Sequence, residues 1–350
     1  MSDGSCPLGH GGKMKKICLY IIVMIVLIIF IPLILVRSFN WTQEELKATD
    51  EKKEQQLTIN VYFPDQKRII KMNLEDYIVG VVAAEMPASF EEEALKAQAV
   101  AARTYALGRA AKLYGSSDTA HAGADVCVSP AHCQAWISKE TAMRRWGLLN
   151  SFKYWNKISK AVRDTSGEVI EYNDVIINPL FHSNSGGHTE NVEDVWDGTE
   201  EPYLRGVESP GEDTFSEYKS KVILEQEEMI KKLKGFNPDF KLNGKSIMSE
   251  IEIKKYSSGE RVIEMKIGNT TLKGTDFRKL FQLKSTNFKF EKVSGSRIEV
   301  TTIGYGHGVG MSQCGADYLA GKGYTYSEIL KYYYQGVQLK KLDKSPGTAK

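Results

Sequence analysis

The sequence predicts a mixed α/β protein of the α+β kind, with a core, a smaller inserted α/β subdomain and one preceding transmembrane helix. Three observations carry this expectation. An uncharged apolar run fills 17–36, two β-rich runs and then two helical segments follow Leu57, and short strands alternate with a helix between 251 and 290. The 350 residues are enough for a sizeable core and for more than one structural unit.

The apolar run 17–36 has about the length that spans the hydrocarbon core of a bilayer. Lys13, Lys15 and Lys16 precede it and only Arg37 follows closely, so the N-terminus is expected in the cytoplasm. No small-residue cleavage site follows the run, which favours a retained anchor over a cleaved signal peptide. The sequence therefore predicts a single-pass protein of the cell membrane with an extracytoplasmic domain. Translation could begin at Met1 or at Met14.

The expected organisation is a cytoplasmic tail at 1–16, a transmembrane helix at 17–36 and a polar stalk at 37–56. A core then comprises 57–209 and 291–342, and the inserted subdomain comprises 210–290. Within the insert, a charged helix is expected from Phe215 to about Phe240. The net charge is only +2, so nothing indicates a nucleic-acid-binding protein.

Glu85 stands in the apolar run "VVAAEMPASF" and raises a question about its role. Asn73 can cap a helix and Pro87 prevents its continuation, so the helix lies between them. Val81, Val82 and Glu85 then share one face. Desolvation and the negative end of the helix dipole would both raise the pKa of this carboxyl group. Alternatively, a frayed last turn lets Glu85 reach water.

A second helix is expected from about Ser89, where Ser89 and Glu92 form a capping-box pattern. One face of this helix is rich in alanine, which permits close packing against a neighbour. The same helix carries Arg103. A structural ion pair is the plain interpretation of that arginine.

Soft metal ligands occur together in "HAGADVCVSPAHCQ", which contains His121, Cys127 and Cys133. Zinc takes imidazole and thiolate ligands in tetrahedral geometry, and three protein ligands leave one position open. Asp125, His132 and Cys314 are candidates for it. A disulfide between Cys127 and Cys133 is the alternative, since disulfides persist outside the membrane.

Apart from His10, the histidines fall in this segment and in two loops rich in glycine and serine, "FHSNSGGHTE" and "GYGHGVGMSQCGA". Such clustering favours roles in a polar site. Ser183, Asn184 and Ser185 are short polar groups that suit a ligand rich in hydroxyl groups. The plainer interpretation of both loops is a tight turn.

Several blocks together resemble the stage II sporulation protein D family of lytic transglycosylases. They are "AAEMPASFEEEALKAQAVAARTYA", "FHSNSGGHTE", "EPYLRGVESPG", "LKSTNF" and "GHGVGMSQCGADYLAGKGYTYSEILKYYYQGV", in the family's order between 57 and 337. The resemblance implies cleavage of peptidoglycan between N-acetylmuramic acid and N-acetylglucosamine during forespore engulfment. The expected substrate is glycan strands from which stem peptides have been removed. The expected partners are an amidase/endopeptidase and the membrane scaffold of the engulfment complex.

The family's catalytic glutamate falls on Glu85, which would act first as acid and then as base and leave a 1,6-anhydro sugar. No second carboxylate has a comparable setting, although Asp194 and Asp197 remain candidates. The resemblance also implies a zinc ion on His121, Cys127 and Cys133 that braces the neighbouring loop. Substrate-binding roles are implied for a set of eight residues: Arg103, Ser183, Ser185, His188, Tyr203, Arg205, His307 and Gln313.

Two other functions stay open at this point. A zinc-dependent amidase would use the His121, Cys127 and Cys133 set with Glu85 as base, and would release peptides. A non-catalytic wall-binding module that stimulates an amidase would bind glycan and release nothing.

Overall fold

The computed structural model describes residues 24–27, 57–114, 123–196 and 200–342. Residues 24–27 are helical and lie inside the predicted membrane span. The rest of that span, the tail 1–16 and the stalk 37–56 fall outside the described residues. Within the described ranges, no helix has both the length and the apolar character needed to cross a membrane.

Residues from Leu57 onward form a compact unit of their own, separate from 1–56. The predicted mixed α/β class is confirmed for this unit, which contains several small sheets. Its helices are α1 (Leu74–Glu85), α2 (Glu92–Ala110), α3 (Lys139–Asp164), α4 (Val192–Val195), α5 (Gln226–Phe236), α6 (Gly274–Phe281), α7 (Gln313–Gly321) and α8 (Tyr326–Tyr333). Its strands are β1 (Thr58–Phe63), β2 (Arg68–Asn73), β3 (Val126–Cys127), β4 (Glu168–Tyr172), β5 (Val175–Ile176), β6 (Phe181–His182), β7 (Lys219–Glu225), β8 (Ile251–Tyr256), β9 (Val262–Ile267), β10 (Thr270–Lys273), β11 (Asn287–Lys292), β12 (Arg297–Ile303), β13 (Met311–Ser312) and β14 (Gln338–Lys341).

The sheets are short and join distant parts of the chain. Their strand orders are β2-β1-β3, β14-β4-β5, β13-β6, β11-β12-β7 and β10-β9-β8. The pairs β1–β3 and β6–β13 are parallel, and the other strand pairs are antiparallel. Parallel pairing needs a long crossover connection, and here the crossovers bring the end of α1 and the start of α7 to one region.

Helix α1 begins and ends as the sequence predicts. The side chain of Asn73 accepts hydrogen bonds from the N–H groups of Glu75 and Asp76, and the helix ends at Glu85 before Pro87. Such a cap contributes about 1 kcal/mol. Because Val81 and Val82 on the face of Glu85 are fully buried, α1 is held in the core along the whole side that carries the carboxylate.

Helix α2 confirms the alanine-rich face but not its predicted start. Its alanines are buried against α1, α3 and α7. The helix begins at Glu92 after the N-cap residue Glu91, whose side chain makes no capping bond. The capping box predicted for Ser89 and Glu92 is therefore wrong. Backbone N–H of Glu91 instead donates to Asp317 on α7 at 2.6 Å, so a tertiary contact fixes the helix start.

A second hydrophobic cluster lies between Leu224 and Val300, separate from the core of 57–204 and 309–337. The helix predicted from Phe215 to Phe240 is wrong in its first half, where β7 pairs with β12. Within it, only Gln226–Phe236 is α-helical, and Ser216–Tyr218 forms a single 3-10 turn. Strand β12, which we expected to return the chain to the core, is the central strand of that sheet. The limits 210–290 of the inserted subdomain stay a prediction.

Candidate functional site

Glu85 lies on the wall of an open cleft of about 340 Å³. The cleft is formed by the end of α1, strand β6 and the start of α7. Its lining combines aromatic rings with a few polar groups: Glu85, Pro87, Phe90, Phe181, His182, Ser183, Glu217, Tyr305, Gln313 and Cys314. A concave surface of this composition is typical of a binding site.

The Glu85 side chain is half-buried, and burial raises the pKa of its carboxyl group above the ordinary range. One contact opposes this effect. Backbone N–H of Ala135 donates to Oε1 at 2.5 Å and favours the ionised form. Since desolvation is the larger influence, the group is placed to hold a proton nearer neutral pH than an exposed glutamate.

The segment that supplies Ala135 is docked along α1. A Cβ atom on Gly80 would come within 2.1 Å of the indole nitrogen of Trp136, so only glycine leaves room for that ring. Next along the chain, backbone N–H of Ile137 donates to Gly80 O at 3.2 Å. The ring of Trp136 also meets Phe63 edge to face, with 5.3 Å between the ring centroids. These contacts hold Ala135 in place against Glu85.

Gln313 supports the opposite side of Glu85. Its amide donates to the backbone oxygen of Glu85 at 3.1 Å and to the side chain of Gln98 at 3.1 Å. Gln313 is the first residue of α7, and the side chain of Ser312 caps that helix by accepting from Gly315 N–H at 3.3 Å. Thus the predicted site residues Glu85 and Gln313 are in direct contact.

His182 forms another part of the cleft wall, and His307 packs beside it. Nδ1 of His182 lies 3.1 Å from Val309 O, which places the proton on that nitrogen. Its Nε2 is then an acceptor, and it finds no hydrogen-bond partner among the described residues. Burial holds the pKa of His182 well below its ordinary value, and His307 and Arg261 lower it further. His182 is therefore neutral, with an unused acceptor.

His307 packs between two rings, with centroids 5.4 Å from His182 and 5.1 Å from Trp196. Its Nδ1 accepts a hydrogen bond from Val309 N–H at 3.1 Å. Burial, together with Arg261 and Arg278, lowers the pKa of His307 to about 3. This predicted residue supports His182 and carries no charge at neutral pH.

A buried carboxylate holds the cleft segments together. Glu212 is fully buried and accepts from the hydroxyl groups of Ser185 (2.7 Å), Ser209 (2.8 Å) and Ser312. It also accepts from the backbone N–H groups of Gly186 (2.7 Å) and Gly187 (2.9 Å). Five donors from three chain segments therefore converge on one side chain, and a carboxylate is the group with enough acceptor positions for them.

Arg261 of the β8–β9 hairpin ties the second cluster to the same loops. Its guanidinium donates to Gly306 O at 3.0 Å and to Ser185 O at 2.9 Å. Glu190, equally buried, lies 3.9 Å away. Burial lowers the pKa of Arg261 to about 10, which still leaves it charged at neutral pH.

Sequence comparison relates the chain to known proteins. Residues 63–172 match a family model described as stage II sporulation protein. The chain is 35% identical to stage II sporulation protein D of Bacillus subtilis strain 168, covering 94% of this chain and 97% of that protein. The chain belongs to the stage II sporulation protein D family. The corresponding protein of Bacillus amyloliquefaciens is 33% identical, over the same shares.

A more distant relative has a different name. The protein named amidase enhancer in Bacillus subtilis strain 168 is 27% identical over 74% of this chain, which corresponds to 40% of its own length. Membership of the family makes the chain a sporulation protein. Its chemistry depends on the residues of the site.

Some residues that the family resemblance implied as substrate-binding lie outside the cleft. Ser185 is buried on Glu212, and His188 packs beside Gly206 with Nδ1 2.5 Å from Thr189 O. The hydroxyl of Tyr203 accepts from Asn178 N–H at 3.2 Å and faces another pocket of about 690 Å³. Arg205 makes ion pairs with two glutamates of its own neighbourhood. Of the predicted set, Ser183 and Gln313 line the cleft of Glu85.

Arg103 forms a structural ion pair, which was the alternative to a role in the site. The side chain is 0% exposed and binds both oxygens of Glu75, at 2.8 and 2.6 Å. Its remaining bonds go to the backbone oxygens of Glu168 (3.1 Å) and Val162 (3.2 Å). We therefore assign it to joining α1, α2 and the end of α3, and not to contact with a substrate.

Replacing Arg103 is expected to affect stability and not glycan binding. Arg103→Lys loses the forked contact and leaves Glu75 partly unpaired, which should lower the free energy of unfolding by about 3 kcal/mol. Urea denaturation measures the loss, and Arg109→Lys on the same helix is the control. A folded Arg103→Lys protein with weakened glycan binding would show that Arg103 contributes to the binding site.

The sequence missed several residues of the cleft. Phe90 and Phe181 are half-buried there, and exposed Tyr305 lies under Lys284, whose Nζ is 4.2 Å from the ring centroid. Exposed Glu217 is a second carboxylate on the same wall. Asp194 lines a different pocket and Asp197 lies outside the described residues. Phe90, Phe181 and Tyr305 lie within the quoted motifs, and their membership of those motifs was the signal that could have indicated them.

Proposed function

We propose that the chain is a lytic transglycosylase that cuts the bond between N-acetylmuramic acid and N-acetylglucosamine in peptidoglycan strands stripped of stem peptides. The observation that carries this is Glu85, a carboxyl group whose pKa is raised by burial and which opens onto a cleft of about 340 Å³. Membership of a sporulation family supports a wall substrate during engulfment.

One carboxyl group is enough for the chemistry. Protonated Glu85 would donate its proton to the glycosidic oxygen as the bond from C1 to that oxygen breaks. The carboxylate would then take the proton of the sugar's 6-hydroxyl as that oxygen bonds to C1. The product has a 1,6-anhydro ring, no water is consumed, and Glu85 ends protonated again. The Ala135 N–H would stabilise the ionised carboxylate between the two steps.

The cleft lining offers both aromatic surface and hydrogen-bonding groups to a sugar chain. The rings of Phe90, Phe181 and Tyr305 provide apolar surface against which pyranose rings can pack. Ser183 lines the same cleft and would offer its hydroxyl group for a hydrogen bond to a sugar. Gln313 would keep the end of α1, and with it Glu85, in position.

We also propose that the protein is anchored at 17–36 with its N-terminus in the cytoplasm and its cleft outside. The basic residues before the apolar run support that orientation. In this position it would reach the wall together with an amidase/endopeptidase that removes the stem peptides, within a membrane-held engulfment complex. Such a partner supplies the stripped strands that the cleft would accept.

A structural zinc ion is a further part of the proposal, held by Cys127, Cys133 and His121. Backbone N–H of Cys127 donates to Sγ of Cys133 at 3.3 Å, a contact that stabilises a thiolate ligand, and both side chains are thiols. His121 lies outside the described residues, which by themselves contain no group of three suitable ligands. When bound, zinc would supply a rigid crosslink. Cys133 is two residues from Ala135, so the crosslink would order the donor to Glu85.

Loss of the metal is therefore expected to act through loop order. Cys133→Ser, or treatment with a chelator, should lower activity by at least tenfold while leaving glycan binding by the folded protein in place. Metal content by mass spectrometry and hydrogen exchange at Ala135 measure the two effects. Asp125→Asn serves as a control, because Asp125 instead accepts from Asn60 N–H at 2.8 Å. Unchanged exchange and activity in Cys133→Ser would remove zinc from the proposal.

The test of the function is mass spectrometry of the products from stem-free glycan strands treated with residues 57–350. Wild type, Glu85→Gln and chelator-treated protein are compared. Anhydro-muramyl ends that require Glu85 support the transglycosylase. Reducing ends would instead indicate hydrolysis, with Glu217 as the second carboxylate.

Two alternatives have their own outcomes. The relative named amidase enhancer favours a binding module, which predicts equal glycan binding by wild type and Glu85→Gln and no product from either. A zinc-dependent amidase would leave stem-free strands intact. It would release peptides from peptidoglycan that keeps its stems, and would lose all activity on chelation.

A further inference from the structure

Helix α3 breaks at Gly147 and carries an unusually exposed apolar tip just after the break. The backbone of Gly147 has φ 71° and ψ 171°, a conformation that L-residues avoid. Leu148 and Leu149 are each 96% exposed, and Phe152 one turn later is 68% exposed. Scattered exposed leucines are ordinary, but three large apolar side chains together at a helix break are not.

Aromatic rings surround the base of this tip. Trp146 and Tyr154 are half-buried and meet edge to face, with ring centroids 5.7 Å apart. Trp155 is also half-buried and has the ammonium group of Lys139 5.5 Å from its ring centroid. Tryptophan and tyrosine, with an apolar body and a polar edge, favour the boundary between hydrocarbon and water.

Cations flank the apolar tip on the same helix. Arg144, Arg145 and Lys153 are exposed beside the tip. Along α3 the sequence holds lysine and arginine at 139, 144, 145, 153, 157, 160 and 163, against acids at 140 and 164 only. Three layers therefore follow one another: an apolar tip, an aromatic collar and a basic rim.

We propose that the tip of α3, residues 144–155, inserts into the outer surface of an anionic lipid bilayer. The three layers match the order of hydrocarbon, interface and anionic headgroups. Charge argues against a second copy as the occupant, because two-fold pairing of the tips would bring their basic rims together. A convex tip with fully exposed leucines also suits a fluid surface better than a rigid partner.

The segment 37–56, as a tether, also favours a lipid bilayer as the partner of the tip. This inference rests on the membrane anchor of the proposed function. The segment 37–56 can extend at most about 70 Å, so the unit stays close to the bilayer that holds its anchor. Within that distance a weak lipid contact is effective, since the linked surface is present at high local concentration. Docking of the tip would orient the cleft relative to the membrane.

Flotation with lipid vesicles tests the insertion without the anchor. Residues 57–350 contain both hydrophobic clusters and form a compact unit, so they are used alone. Vesicles of phosphatidylcholine are compared with vesicles containing roughly 30% phosphatidylglycerol. We expect at least tenfold stronger binding to the anionic vesicles, and a shift of tryptophan emission to shorter wavelength.

Variants identify the surface responsible. Leu148→Ser with Leu149→Ser should weaken vesicle binding at least tenfold, and so should Arg144→Glu with Arg145→Glu. Ile223→Ser, at an exposed apolar residue of β7, should leave it unchanged. Binding that survives the double leucine change overturns the proposal. So does a concentration-dependent dimer of the wild type that the same change abolishes.

Cleavage of soluble glycan strands separates this inference from the proposed function. The double leucine variant should cut such strands like the wild type, because the tip lies outside the cleft. If neither the wild type nor the variant cuts glycan, the proposed function is wrong. The vesicle experiment then still tests whether the tip inserts into lipid.

Discussion

Glu85→Gln is expected to abolish the production of anhydro-muramyl ends while glycan strands still bind. The amide keeps the size of the side chain and can still accept from Ala135 N–H, but it has no acidic proton to transfer to a leaving oxygen. A general acid contributes a factor of 10² to 10⁴, and here the same group also serves as base, so we expect a fall of about 10⁴-fold. Product quantification by mass spectrometry and glycan co-sedimentation measure the two properties.

Glu217→Gln is the matched control, since Glu217 is an exposed carboxylate on the same cleft wall. It should retain most of the activity if Glu85 acts alone. Equal losses in both variants would contradict the single-carboxylate mechanism. The wild-type rate should also fall as the pH rises through the raised pKa of Glu85, because the ionised group cannot donate.

Glu85→Gln is also expected to stabilise the fold. Because burial raises the pKa of Glu85 in the folded state, the unfolded state releases its proton first and stability falls as the pH rises through the folded pKa. Glutamine has no such titration. The melting temperature of Glu85→Gln should thus match that of the wild type at about pH 4 and exceed it at about pH 8. A wild type that gains relative stability with rising pH would show that Glu85 is not desolvated.

Glu212→Ala is expected to have the largest effect on stability among single changes near the cleft. Removing the carboxylate takes the acceptor from three buried serine hydroxyl groups and from two backbone N–H groups, and each unpaired buried group costs on the order of 1–3 kcal/mol before local rearrangement. We expect a loss of at least about 5 kcal/mol, enough to unfold a marginally stable domain. Urea denaturation monitored by circular dichroism measures it.

Two comparisons make this prediction specific. Asp213→Asn changes the adjacent, exposed acid and should leave stability within about 0.5 kcal/mol of the wild type. Ser312→Ala removes one donor and should cost about 1 kcal/mol. A Glu212→Ala protein as stable as Asp213→Asn would mean that the buried donors find other partners.

The sequence predicted the parts of the site that local rules govern. Asn73 and Pro87 set the limits of α1, and the period of Val81, Val82 and Glu85 placed the carboxylate at the edge of the core. Residues of the glycine-rich motifs led to Gln313 and Ser183. These predictions depend on helix geometry and on short motifs, which are visible in one segment of chain.

Residues whose role depends on distant partners were not predictable in the same way. Glu212 looks like a surface acid in a loop, and only folding brings Ser185, Ser209 and Ser312 around it. Arg103 was expected in the site, yet Glu75 28 positions earlier takes its guanidinium. The charged segment after Phe215 fits a helix by composition, but β12 recruits its first half as a strand. In each case tertiary contacts decided between local alternatives.

The contact from Gln313 to Glu85 joins positions 228 residues apart, and that separation has a consequence for biogenesis. A chain made N-terminus first exposes α1 early, while the residues that complete the cleft follow near the end of synthesis. Until then Glu85 is an exposed glutamate with an ordinary acidity and no walls to hold a glycan. For the proposed wall-cutting activity, this order would leave the chain inert until nearly all of it has been made.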